Sequence, residues 1–462
     1  MLSGGGHRAM IGGIGAILYL VQANWWPRVD EVISVSGGSV TNAALMGSTS
    51  EDDQEQINNL RRLYDVIRTD RVLPWRTPAR LLWFLAVIAA PLLTIVLALS
   101  AFGIIDLIPV PQTAWVGMLL GILGPLVSIQ LGRRAFSRYI FDYVQQAGGS
   151  HDMRLEGLAE RDRQHVICAT GRASAQTYYL WGGGPTFSSG GDLATPRASQ
   201  QPDPDMLGVA AQSMNLGAAT YSSCSLPLLG FLKLPDSVTH SRAMPGEVLI
   251  DPGWTGKFGQ QVSDRLNASG NDPQASAATR DPLAPKIIVI DAGTRIAPQG
   301  LMAKLLTKMS ITSLLFRWTN LANDAVYVND LIDAVGASVL VRISDDATDE
   351  IATGAVGAAD PNDQLAANEV VTYLTAPQIW GRFKTLRTNT ATISLFNVTE
   401  QRGFDALLAG FVGSYMALTP DPDGIELYRL LEQAGARFGV AGGLAHHWDP
   451  NFHQQVNAGV AA

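Results

Sequence analysis

Three consecutive glycines, Gly4 to Gly6, are followed about thirty residues later by Ser34-Val35-Ser36-Gly37-Gly38-Ser39, and no other pair of segments constrains the fold of this chain as much. Between them, Asp30 to Val35 reads as a short apolar strand running into a tight turn, and Val40 to Met46 continues as a helix. A strand that turns sharply into a helix with a small residue at the corner belongs to an α/β architecture. It lifts the corner side chain above the sheet at the positive end of the helix. Glycines in the first loop let the backbone adopt positive φ and bring N–H groups against a bound group with no Cβ in the way. Such donors suit a developing oxyanion, although a glycine run alone fits a phosphate loop or a plain turn equally well.

A serine held on such an elbow has glycines two residues before and two after it. Framed on Ser36, Gly38 is in place and Ser34 replaces the first glycine; framing on Ser34 or Ser39 loses the glycine at plus two. Ser36 is therefore the candidate nucleophile, with Gly37 and Gly38 forming the elbow and Gly4, Gly5 and Gly6 the oxyanion loop. A Gly-Ser turn without chemistry is the alternative.

These segments resemble the patatin-like phospholipase family, whose members share a Gly-Gly-Gly-(His/Arg) loop, a Gly-x-Ser-x-Gly elbow and a later Asp-Gly-Gly/Ala. The resemblance covers Leu2 to Asn42 and, more loosely, His165 to Asp291. It implies an α/β fold of three layers, α/β/α, with a central mostly parallel sheet, and a Ser-Asp dyad that cleaves acyl-ester lipids through an acyl-enzyme with no cofactor or metal. The expected aspartate is Asp251, which ends the apolar run Glu247 to Ile250 and follows the small-residue segment Ser222 to Pro227. Pro252 stands where the family has glycine. Asp291, at the end of Lys286 to Ile290, is the rival.

Two other readings stand beside this one. A triad in the order Ser, Asp, His could draw on His446, His447 or His453, and with Asp449 these could form a metal site, though the Gly/Pro/Asn-containing tail reads as a solvated segment. A non-enzymatic lipid-binding or scaffold protein with an impaired dyad is the second, resting on Ser34 and Pro252.

An uncharged apolar block interrupts the hydrolase pattern. Leu81 to Ile105 is long enough, at roughly 37 Å as a helix, to cross a ~30 Å hydrocarbon core. A second apolar run follows, with residues 113–131 as its membrane-crossing part. Arg76 and Arg80 precede the pair and Arg133, Arg134 and Arg138 follow it, whereas the connection carries only Asp106. By the positive-inside rule both ends face the cytoplasm, so Ser36 and Asp251 are expected on that side. The expected organisation is a hydrolase part at 1–75, a two-helix transmembrane hairpin at 76–138 and the rest of the hydrolase at 139–462, with surface loops at 188–205, 267–285 and 345–364. The expected partners are a phospholipid or other acyl-ester lipid and the membrane.

A net charge of −8 gives no reason to expect nucleic acid. Two cysteines, Cys168 and Cys224, cannot build a disulfide framework and read as reduced core thiols. The glycine loop begins near residue 3, leaving only Met1 and Leu2 where an apolar strand is expected, so the reading frame is expected to extend upstream. Further strands are read at 165–169 and 338–343.

Overall fold

A computed structural model describes residues 1–48, 52–69, 130, 134, 136–148, 152–158, 163–173, 177–181, 206–210, 214–225, 232–233, 246–252, 288–292, 339–343, 376–391, 393, 398–439 and 443–448. The described residues form a mixed α/β structure that is mostly helical around a small, partly parallel sheet.

The first helix, α1 (His7–Gln22), is apolar on every side, and every residue from His7 to Val21 is buried. A helix with no polar face must be enclosed all round. Its main neighbour is α7 (Glu400–Leu418), and the two backbones touch where a Cβ on Gly15 would collide with the Leu407 carbonyl. Strand β1 (Glu31–Ser34) leads into α2 (Gly37–Met46), and α3 (Asp53–Thr69) packs its apolar stripe beneath them. The helix at residues 136–146, α4, spans the boundary expected at 138.

Strand β1 pairs in parallel with β2 (Gln164–Gly171), and β3 (Thr177–Trp181) pairs in parallel with β4 (Met206–Ala210). Between these pairs β2 and β3 run antiparallel, and the two-residue β5 (Leu249–Ile250) also pairs antiparallel with β2. The sheet is thus partly parallel rather than mostly parallel. The physical reason lies in the connection: only residues 172–176 separate β2 from β3, too few for the crossover a parallel neighbour requires. Strands β6 (Ile288–Asp291) and β7 (Val339–Arg342) form a second parallel pair. Leu2 joins the two sets, bridging in parallel to Ser34 on one side and Ile290 on the other. Met1 N donates to Ile288 O at 2.6 Å, extending the contact of this segment with β6.

Helix α5 (Leu216–Cys224) precedes β5, and α6 (Ala376–Ala391), α7, α8 (Gly424–Phe438) and α9 (Gly443–Trp448) complete the helical body. One apolar core gathers α1, α3, α7, α8 and α9. A smaller one gathers Met46, Val144, Leu155, Ile167, Tyr178, Leu180 and Leu249. The expected strands at 165–169, 286–291 and 338–343 correspond to β2, β6 and β7.

The segments 81–105 and 113–131 fall outside the described residues except for Gln130, as do the loops at 188–205, 267–285 and 345–364. Among the described residues no helix is long and apolar enough to cross a membrane.

Candidate active site

Ser36 stands between β1 and α2 with φ 52° and ψ −125°, one of two non-glycine residues at positive φ among those described. A side chain in that region costs roughly 1–3 kcal/mol of backbone strain, which persists only where surrounding contacts enforce it. Those contacts come from α5: Ser36 N–H donates to Ser223 Oγ at 2.9 Å, and the Cys224 thiol donates to Ser36 O at 3.0 Å. Ser39 Oγ adds a 2.8 Å hydrogen bond to Ser223 Oγ. Burial, and then the charge of Asp251, push the Cys224 thiol pKa well up, which keeps it protonated and able to donate.

Ser34, at the position where the elbow pattern has glycine, is fully buried and satisfied. Its Oγ donates to Val166 O at 3.1 Å and accepts from Asn42 Nδ2 at 2.9 Å. Asn42 Nδ2 also reaches Val32 O and Val166 O, while His165 Nδ1 lies 2.7 Å from Asn42 Oδ1 and donates to it. Asn42 thereby ties α2 to both strands beneath it. The hydroxyl at position 34 is accommodated because the neighbouring strand and helix supply its partners.

The glycine loop lies directly against the elbow. A Cβ on Gly4 would come within 3.1 Å of Ser36 Cβ and 3.6 Å of Ser36 Oγ. Gly5 and Gly6 have φ 139° and 59°, and a Cβ on Gly37 would run into the Gly6 carbonyl. Helix α1 starts at Gly6 and α2 at Ser36, each without a side-chain cap. The first-turn N–H groups of a helix have no intrahelical partners, so two positive helix ends converge on the Ser36 corner. An anionic tetrahedral oxygen is the group such a corner favours.

Both candidate aspartates are buried and lie on opposite sides of this corner. Asp251 N–H donates to Ser225 O at 2.8 Å, which hangs it from the Ser223-Cys224-Ser225 segment that holds Ser36. Asp291 lies on the glycine-loop side: Ala292 N–H donates to Ser3 Oγ at 2.7 Å, and a Cβ on Gly5 would meet Ala292 O at 2.7 Å. Arg8 is nearby; burial lowers its pKa to about 10 and the charge of Asp291 opposes that shift. Asp291 is thus a counter-charge to Arg8. Among the described residues no hydrogen bond joins Ser36 Oγ to the Asp251 carboxylate. Catalytic contacts of this kind often tighten only when substrate is bound.

His446 and His447 are not in a solvated tail. They belong to α9, whose Leu444, Ala445 and Trp448 are buried, and the His447 ring stacks 3.9 Å from Phe404 of α7. An apolar i, i+1, i+4 set on a short helix was enough to seat it on the helical body. Asp449 and His453 lie outside the described residues. Cys168 and Cys224 are both buried and neither is in a disulfide, as expected of core thiols.

The structure therefore gathers Gly4, Gly5, Gly6, Ser36, Gly37 and Gly38 at one corner and suspends Asp251 beside it. Sequence reading missed the supports: Asn42, His165, Ser223 and Cys224. The small-residue run Ser222 to Ser225 was the one available signal. Neither a protein-family model nor a curated protein matches the chain.

Proposed function

We propose that this chain is a membrane-associated serine acyl hydrolase acting on phospholipid or other acyl-ester lipids, with a patatin-like three-layer fold. The observation that carries the reading is the backbone of Ser36, strained at a strand-to-helix corner with a glycine loop packed against its side chain. Asp251 accepts the Ser36 proton as Oγ attacks the ester carbonyl, and the backbone N–H groups of the Gly4–Gly6 loop stabilise the oxyanion. Collapse expels the alcohol with that proton and leaves an acyl-enzyme. Water then attacks the acyl-enzyme, Asp251 takes its proton, and the fatty acid leaves as Ser36 is reprotonated. A lipid substrate fits the uncharged block at 81–131, which would hold the catalytic part at a bilayer as a two-helix hairpin.

The test is hydrolysis of a short p-nitrophenyl acyl ester by detergent-solubilised protein, comparing wild type with Ser36→Ala, Asp251→Asn, Asp291→Asn and His446→Ala. Loss in the first two alone supports the dyad. Turnover that survives Ser36→Ala rejects it. For the hairpin, a tag placed in the 106–112 connection should be reachable from outside the cell; reachability only from the cytoplasm would reverse that topology.

Scaffolding by an impaired hydrolase is the second reading, and Pro252, which follows Asp251 where the patatin-like pattern has glycine, favours it. Ser34 no longer argues for it, since its hydroxyl is fully bonded within the fold. Folded protein lacking Ser36-dependent turnover and phosphonate labelling would establish the scaffold reading.

A further inference from the structure

His7 follows the glycine loop directly and opens α1, yet its side chain points into the protein and is 2% exposed. Its Nε2 lies 2.8 Å from Tyr139 Oη and 3.3 Å from Tyr143 Oη, and the two tyrosine hydroxyls hydrogen-bond each other. Tyr139 and Tyr143 are one turn apart on α4, with ring centroids 4.2 Å apart. Among the described residues His7 Nδ1 has no hydrogen-bond partner, so the polar tether of the ring runs through Nε2 alone. Burial holds the imidazole neutral, lowering its pKa to about 4.

The same helix reaches the other side of the corner. Phe136 and Phe141 of α4 pack on Tyr221 of α5, with centroids 5.9 and 6.2 Å apart. Tyr221 is two residues before Ser223, which accepts from Ser36 N–H. Helix α4 thus contacts both the residue that follows the glycine loop and the helix that restrains Ser36.

Resting on the hydrolase reading above, we propose that His7 is a positioning residue of the oxyanion loop, clamped by Tyr139 and Tyr143. Glycines have no side chains by which to be held, and Gly5 and Gly6 occupy backbone conformations with many alternatives. The clamp on the next side chain fixes the first turn of α1, and with it the direction of the loop N–H groups. A neutral imidazole suits this place, because a cation would lose its hydration on burial.

The experiment measures ester hydrolysis per Ser36 titrated with a fluorophosphonate, so that unfolded protein does not count. His7→Leu is expected to lower kcat about tenfold or more with little change in KM, since misplacing donors acts on the transition state rather than on ground-state binding. Phosphonylation, whose transition state also carries an oxyanion, should slow in parallel. His7→Gln, which can place an amide where Nε2 lies, should recover most of kcat. Tyr139→Phe/Tyr143→Phe keeps the rings and removes only the hydroxyls, so it tests the clamp even where His7→Leu folds poorly. An unchanged kcat in both His7→Leu and the tyrosine double variant, with Ser36-dependent turnover intact, overturns this proposal alone. Turnover persisting in Ser36→Ala overturns the hydrolase reading and the proposal with it.

Discussion

The two sides of the candidate site are built in different ways. On the nucleophile side α1 is buried from His7 to Val21 and all of α2 is buried, and the corner is held by bonds from β2 and α5 as well as its own helices. Asp251 follows a strand of only two residues, β5, which pairs with β2, and its N–H donates to Ser225 O. The Ser36 corner is built by dense local structure, whereas Asp251 is carried to it by a short strand from far along the chain.

The largest test of that contrast is Ser36→Ala against Asp251→Asn. Loss of the nucleophile should lower turnover by about 10⁶-fold, while loss of the general base Asp251 should cost about 10²–10⁴-fold, since the oxyanion loop remains. Equal losses would mean that the two sides act as one rigid unit.

Acid should strike the nucleophile side first. His7 takes up a proton near pH 6.5 when unfolded but only near pH 4 when folded, so between those values the unfolded state binds more protons. Stability supplied by its neutral burial is complete above pH 6.5 and is lost as pH falls to 4, by up to about 3 kcal/mol. Urea midpoints measured from pH 7 to pH 4 should fall steeply in wild type and less in His7→Gln; identical slopes would remove His7 as the cause.

Asn42→Ala should destabilise by about 2 kcal/mol, because it strands the buried His165 Nδ1–H and removes the donor to Ser34 and Val166. A urea midpoint unchanged from wild type would show that β1 and α2 are held without it. The smallest effect belongs to Ser34→Gly, which restores the elbow pattern. Asn42 keeps its bonds to Val32 and Val166, so the expected cost is below about 1 kcal/mol with kcat unchanged. A large rise in kcat would mean that Ser34 impairs the corner.

The elbow and the strands were legible because their signals are local. Short apolar runs ending in small residues mark β1, β2, β6 and β7, and glycines mark the positions where backbone meets backbone. Nothing local marks Ser223 as the acceptor for an N–H 187 residues away, or pairs His165 with Asn42 across 123 residues. Nor does periodicity assign His7 to Tyr139, since a histidine after a glycine loop looks the same whether it faces solvent or a buried hydroxyl. The antiparallel β2–β3 pair was missed because no strand was read at 177–181, so the short connection after β2 had no partner to point to.

By itself the sequence determined which residues can occupy the corner: glycine where a Cβ would strike a carbonyl, a small hydroxyl at the turn, apolar residues along the strands. Those are steric and solvation requirements that each residue meets within a few neighbours. Tertiary structure alone decided which aspartate hangs from the α5 segment that holds Ser36, how Ser34 is satisfied and what the His7 ring meets. Each of those depends on directional hydrogen bonds between side chains or backbone groups far apart in the chain, and direction exists only once the elements have packed.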